Sequence, residues 1–204
     1  MGQSGRKGES MEWIPIFLGI AVGLSVYAAW GVKQNTETIK TILQIINQQS
    51  KNESELIDQI IEAGLYAASG RNHQGSIILA VTNKELRDRL SVLNQQIGGF
   101  PEGMDPFYGA PAVLVVLANK EAGTYLYDGS LVMGNLMNAA HSIGVDSCWI
   151  HRAKETFETA EGKELLKEWG LSEKYVGIGN CILGFAKGEY PKAKERKSDY
   201  IIKI

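Results

Sequence analysis

The chain has 204 residues, 44% of them apolar and 22% charged, enough to bury one sizeable core. A formal charge of −2 argues against a nucleic-acid binder driven by global basic charge, and no cysteine or histidine pair falls at metal-ligand spacing, which argues against a zinc site. The two cysteines, Cys148 in "DSCWI" and Cys181 in "GNCILGF", have apolar neighbours and read as buried, reduced thiols.

Residues 1–10, "MGQSGRKGES", are polar and without periodicity and read as a disordered tail. Residues 11–33 read as an apolar anchor helix. The uncharged run from Trp13 reaches Val32, close to the ~20 residues a bilayer core requires. Trp13, Tyr27 and Trp30 stand at its ends, where interfacial aromatics sit, and Gly19 and Gly23 form a GxxxG pair. The alternative is a helix buried against the domain or in an oligomer interface. No small-x-small cleavage site follows the run, and Arg6 stands where a myristoylation pattern requires Ser or Thr.

The domain proper is expected over residues 36–204. "TETIKTILQIINQQS" places Ile39, Ile42, Leu43, Ile45 and Ile46 at helical spacing, and a second helix is expected to start near Asn52 or Ser54 and bury Leu56, Ile57, Ile60, Ile61 and Leu65. The segment "AASGRNHQGS" follows, richer in hydrogen-bonding groups than a simple turn requires. A strand is expected at Ile77–Val81, then a helix over "KELRDRLSVLN" with a capping signal in Thr82, Asn83 and Glu85. "GGFPEGMDPFYGAP" is a Gly/Pro-rich loop, and "AVLVVLA" a strand covered on both faces. Next come a long helix over "DGSLVMGNLMNAAHSIG", a strand "VDSCWI" and one amphipathic helix over "KETFETAEGKELLKEWG". A strand "YVGIGNCILGFA" and a basic tail ending in the strand-like "YIIKI" close the chain. Alternating strands and helices with long middle loops suit an α+β or α/β sandwich around one mixed sheet. No GxGxxG or GxxxxGK[ST] loop follows any strand, so a Rossmann or P-loop mechanism has no support.

Four segments, in order, resemble the nitroreductase family of FMN-dependent oxidoreductases: "IIEAGLYAASGRNHQ", "FYGAPAVLVVLA", "YDGSLVMGNLMNAAHSIGVDSCWIHRAKE" and "GIGNCILGFAKGEYPKAKERKSDYII". The resemblance implies an α+β domain with a mixed sheet flanked by helices, and a homodimer with FMN at the subunit interface. It also implies ping-pong transfer of hydride from NADH or NADPH, through the flavin N5, to a small-molecule acceptor such as a nitroaromatic or quinone, on the cytoplasmic side. No side chain need be catalytic, because the flavin carries the chemistry. By matching positions, Ser69, Gly70, Arg71, Asn72 and Gln74 are candidate cofactor contacts. The strand end at Ile150, His151 and Arg152 would face the flavin N5, and Lys194 with Arg196 would hold the phosphate. His151 as a proton donor competes with the commoner packed or exposed histidine; His141 reads as a core or dimer-face residue. Phe107 and Tyr108 are candidate walls of a lid.

One departure stands out. Family members carry an "RRSxR" motif whose arginines grip the phosphate; the matching place here reads "QQSKN", Gln48 to Asn52. Gln49 and Ser50 could donate hydrogen bonds there but no charge, and a charge-assisted bond is roughly twice as strong. Two functions are therefore carried forward: a working flavoenzyme, and a flavin-poor nitroreductase-fold binding or scaffolding module anchored to a membrane.

Overall fold

The computed structural model describes residues 36–190 and 192–204. The tail at 1–10 and the apolar run at 13–32 lie outside the described residues. Among the described residues no helix is long and apolar enough to cross a membrane.

Helix α1 spans Thr36–Leu65. It is one helix where the sequence suggested two. "QQSKNESE" contains no glycine or proline to break it, its Ser and Asn side chains face solvent, and Lys51 pairs with Glu55 at 3.8 Å one turn on. At 1.5 Å per residue it is about 45 Å long. Its last turns pack into the core: Ile60 is fully buried, with Leu56, Ile57 and Ile61 partly so. Leu43 and Ile45, in its first half, stay about half exposed.

The elements that follow are β1 (Ser76–Val81), α2 (Lys84–Gly98), β2 (Ala112–Asn119), α3 (Tyr125–Ser142), β3 (Asp146–Ile150), α4 (Ala153–Glu158), α5 (Ala160–Glu168) and β4 (Tyr175–Gly184), with a 3-10 turn at Gly70–Asn72. Asn83 caps α2, its side chain accepting from the Leu86 N–H at 2.9 Å. The single amphipathic helix expected after β3 is instead α4 and α5. Thr159 adopts an extended conformation (ψ 161°), accepts from the Gly162 N–H at 2.9 Å and so starts α5 afresh. The closing "YIIKI" forms no strand and is exposed.

The four strands are ordered β1-β2-β4-β3, and every neighbouring pair is antiparallel. This corrects the mixed sheet expected from the alternation of strands and helices. The helical crossover through α3 does make β2 and β3 parallel, but β4 inserts between them and runs against both.

The two faces of β2 feed two cores. Val113, Val115 and Leu117 meet α2, α4 and α5 through Leu90, Leu93, Phe157, Leu165 and Leu166. Leu114, Val116 and Ala118 meet α1 and α3 through Ile60, Val132, Met133 and Leu136. That two-sided burial is why "AVLVVLA" is a continuous apolar run. A bulge in β4 sets Ile178 opposite no partner on β2. Ile178 turns toward α3, where Gly129 makes room: a Cβ there would lie 2.5 Å from Ile178 Cγ1.

Candidate functional site

The segment Ser69–Gly75 crosses from α1 to β1 and is clamped at its centre. Asp128, buried in the first turn of α3, accepts from the Gly70 N–H and from the Thr124 hydroxyl, both at 2.9 Å. Gly70 lies so close to Thr124 that a Cβ would sit 2.2 Å from its Oγ1. Arg71, Asn72 and Gln74 all have positive φ (53°, 56° and 48°), a conformation non-glycine residues seldom adopt. Much of the backbone is consumed internally: the N–H groups of Asn72 and His73 bond to the carbonyls of Ser69 and Gly70, and the Gln74 N–H to Ser69 Oγ. The side chains of Arg71, Asn72, His73 and Gln74 point to solvent, with Gln74 Nε2 donating to Asn72 Oδ1 at 3.1 Å. What the loop offers a ligand is therefore neutral amides, one guanidinium and the His73 imidazole on a fixed scaffold.

The second predicted segment is the turn after β3. Ile150 is buried, His151 exposed, and Arg152 half-buried with φ 75°. The Arg152 side chain is occupied elsewhere: its guanidinium stacks on the Phe100 ring, 4.7 Å from the centroid. The backbone is what this turn presents. Asn94 Nδ2 donates to the His151 carbonyl at 2.7 Å, and Asn180 Nδ2 approaches the carbonyls of Ile150 and His151, both at 3.3 Å. Gly177 allows the turn to lie directly on β4, since a Cβ there would sit 2.2 Å from the Ala153 carbonyl. Neither asparagine, nor Asp128, was singled out from the sequence.

The Gly/Pro-rich loop between α2 and β2 is tied down by Asp105. Its carboxylate accepts from Arg87 Nη2, Ser91 Oγ and the N–H groups of Phe107 and Gly109. Arg87 is itself buried and donates Nε to the Ala110 carbonyl at 2.9 Å. Burial pushes the Asp105 carboxyl upward, but the Arg87 and Ser91 hydrogen bonds and the Arg87 charge outweigh it, and the group titrates below the ordinary carboxylate range. Phe107 is 1% exposed under the Arg87 guanidinium, so it belongs to the core and not to a lid wall; Tyr108 is exposed.

The remaining candidates lie apart. Gln49 and Ser50 are exposed on the first half of α1. The tail is tied to the start of β3, where Asp146 accepts from the Ala186 N–H at 2.7 Å and the Tyr190 hydroxyl at 3.1 Å, and Lys194 and Arg196 are exposed. The β1 loop leads into one edge strand, and the β3 turn follows the other. His141 is exposed.

Cys148 is half-buried and Cys181 buried; both are free, and they face opposite sides of the sheet, where no disulfide can join them. Burial, with a smaller effect of Cys148, pushes the Cys181 thiol up to about 12, so it is inert at neutral pH. Among the described residues no group of three or more His, Cys, Asp or Glu could hold a metal ion.

An antiparallel sheet between two helical layers, with a polar loop pinned to a helix start and a backbone turn fixed at a strand end, is an α+β architecture. No family model matches the chain, and no curated protein matches it in sequence. Solved structures do. A nitroreductase with bound FMN from Bacteroides fragilis NCTC 9343 is 27% identical, with a TM-score of 0.65, over 74% of this chain and 87% of that one. One from Desulfitobacterium hafniense DCB-2, also with bound FMN, is 26% identical at a TM-score of 0.66, over 74% and 86%. An iodotyrosine deiodinase bound to FMN and 3-iodo-L-tyrosine shares the fold at 18% identity and a TM-score of 0.53, over 73% and 86%. The resemblance to the nitroreductase family is thus shown at the level of structure, and the likeness is to nitroreductases solved with bound FMN.

Proposed function

We propose that this protein is a homodimeric FMN-dependent oxidoreductase that passes hydride from NADH or NADPH to a nitroaromatic, quinone or similar acceptor by a ping-pong mechanism. The observation that carries this is the β3 turn: the N–H groups of His151 and Arg152 find no acceptor among the described residues, at the strand end that matches the flavin-facing position of the family. The donor set fits FMN. Backbone N–H groups and the amides of Asn72 and Gln74 suit the nitrogen and carbonyl edge of the ring, and Lys194 and Arg196 suit the phosphate. Ser69 and Gly70 hold the loop in shape, and Gln49 and Ser50 would add neutral donors. When bound, FMN supplies hydride acceptance and donation at N5. The protein binds it, orients it and presents N–H dipoles to the ring; no titratable side chain is required for the transfer.

The family resemblance implies a homodimer, in which a second copy of the chain supplies part of the cleft. The flavin-poor alternative is supported by one feature: Gln48 and Gln49 stand where the family carries arginines, on an exposed helix that runs straight through. The spectrum of the purified full chain, with and without added FMN, decides between the two. Absorbance near ~450 nm that is bleached by NADH or NADPH under anaerobic conditions is the expected result. A colourless protein that takes up no FMN removes the enzyme function.

A further inference from the structure

Asn94 and Asn180 occupy positions that packing alone would give to apolar residues. Asn94 is 0% exposed on α2, next to Leu93 and one turn after Leu90, and Asn180 is 4% exposed in β4 beside Cys181 and Ile182. Asn94 also leaves its Oδ1 buried with no partner among the described residues, which destabilises the fold. Neither asparagine caps a helix or closes a turn. Both converge on one stretch of backbone: Asn94 on the His151 carbonyl and Asn180 on the carbonyls of Ile150 and His151.

Two successive carbonyls that reach one amide nitrogen lie on the same side of the chain. The peptides are trans, so the N–H groups of His151 and Arg152 point together to the other side. The left-handed conformation of Arg152 completes this arrangement, and neither N–H is satisfied by the described residues. Adjacent N–H groups directed one way form a concavity for an electron-rich atom.

We propose that Asn94 and Asn180 are positioning residues that fix the His151 and Arg152 N–H groups toward the ring of bound FMN and thereby raise its electron affinity. This rests on the FMN function proposed above. The asparagines act through two peptide units, not by contact with the cofactor. Reduction adds negative charge to the ring, and N–H dipoles held toward it favour the reduced state.

The test uses the full chain carrying Asn94→Leu or Asn180→Leu, near-isosteric changes that remove the amide. Two quantities are read: the midpoint potential of bound FMN against a reference dye, and the backbone amide resonances of His151 and Arg152 without FMN. Each variant is expected to bind FMN with a potential lowered by about 30 mV, a tenfold shift for a two-electron couple. Both amide resonances should be displaced, and Asn94→Leu should melt no lower than the parent. An unchanged potential in a variant that binds FMN overturns the proposal. So does failure of Asn94→Leu to fold, because that would make the amide a structural requirement; if only Asn180→Leu fails to fold, Asn94→Leu decides. Should the parent take up no FMN, the proposed function falls, and the amide resonances alone judge the clamp: unmoved resonances in the variants overturn it.

Discussion

At the scale of single residues, the candidate site is shaped by groups that touch backbone. Asp128 holds the β1 loop through the Gly70 N–H and keeps Thr124 in place, so its carboxylate substitutes for the backbone partner this loop lacks. Asp128→Ala should lower the unfolding free energy by about 1–3 kcal/mol, the range for leaving a buried partner unsatisfied. Urea unfolding measures that, and FMN titration should show weaker binding as the loop loosens. Asp128→Asn keeps one acceptor oxygen and should lose less; equal losses would mean that the hydrogen bonds do not hold the loop. Asp128 was visible in the sequence only as an acid in the first turn of a helix. Its partner lies 58 positions earlier, and no local pattern announces such a contact. Asn94 and Asn180 were hidden for the same reason. The loop was singled out in the sequence because the type and order of its residues resemble a family motif, whereas the clamp that shapes it was not.

At the scale of elements, the loop after α2 and the break between α4 and α5 show where local sequence decides and where it does not. Asp105 gathers four hydrogen bonds and thereby fixes a Gly/Pro-rich segment that composition alone would describe as a lid. Its folded-state pKa lies below the ordinary value, so its contribution is present above the unfolded pKa of about 4 and is lost as pH falls further. Unfolding free energy should therefore drop on acidification below about pH 4, and Asp105→Asn should flatten that drop while lowering stability at neutral pH. Urea midpoints measured across that range check it; an unaltered pH slope in the variant would show that the carboxylate is not the clasp. The break at Thr159 is a local matter. The apolar spacing of "KETFETAEGKELLKEWG" continues through it, so periodicity hid the break, while the Thr159 cap on Gly162 marks it. Thr159→Ala should cost about 1 kcal/mol, read as a lower thermal midpoint.

At the scale of the whole molecule, the alternation of helices and strands was legible and the sheet order was not. Apolar runs and caps specify each element locally, whereas the insertion of β4 between β2 and β3 depends on pairings between distant segments. That order has a functional consequence. β1 and β3 become the two edges, so the β1 loop and the tail tied to Asp146 leave from opposite sides of one chain. If FMN is held by both, each cleft takes its loop from one subunit and its tail from the other. A loop variant, Asn72→Ala with Gln74→Ala, and a tail variant, Lys194→Ala with Arg196→Ala, should each bind FMN poorly as homodimers. Unfolded together in equal amounts and refolded, they should form mixed dimers in which one cleft has both defects and the other has neither. Random pairing makes half the dimers mixed, so about a quarter of all clefts should recover tight binding, measured as FMN fluorescence quenched per subunit. A cleft built within one chain would leave a single defect in every cleft of a mixed dimer, and no binding would return.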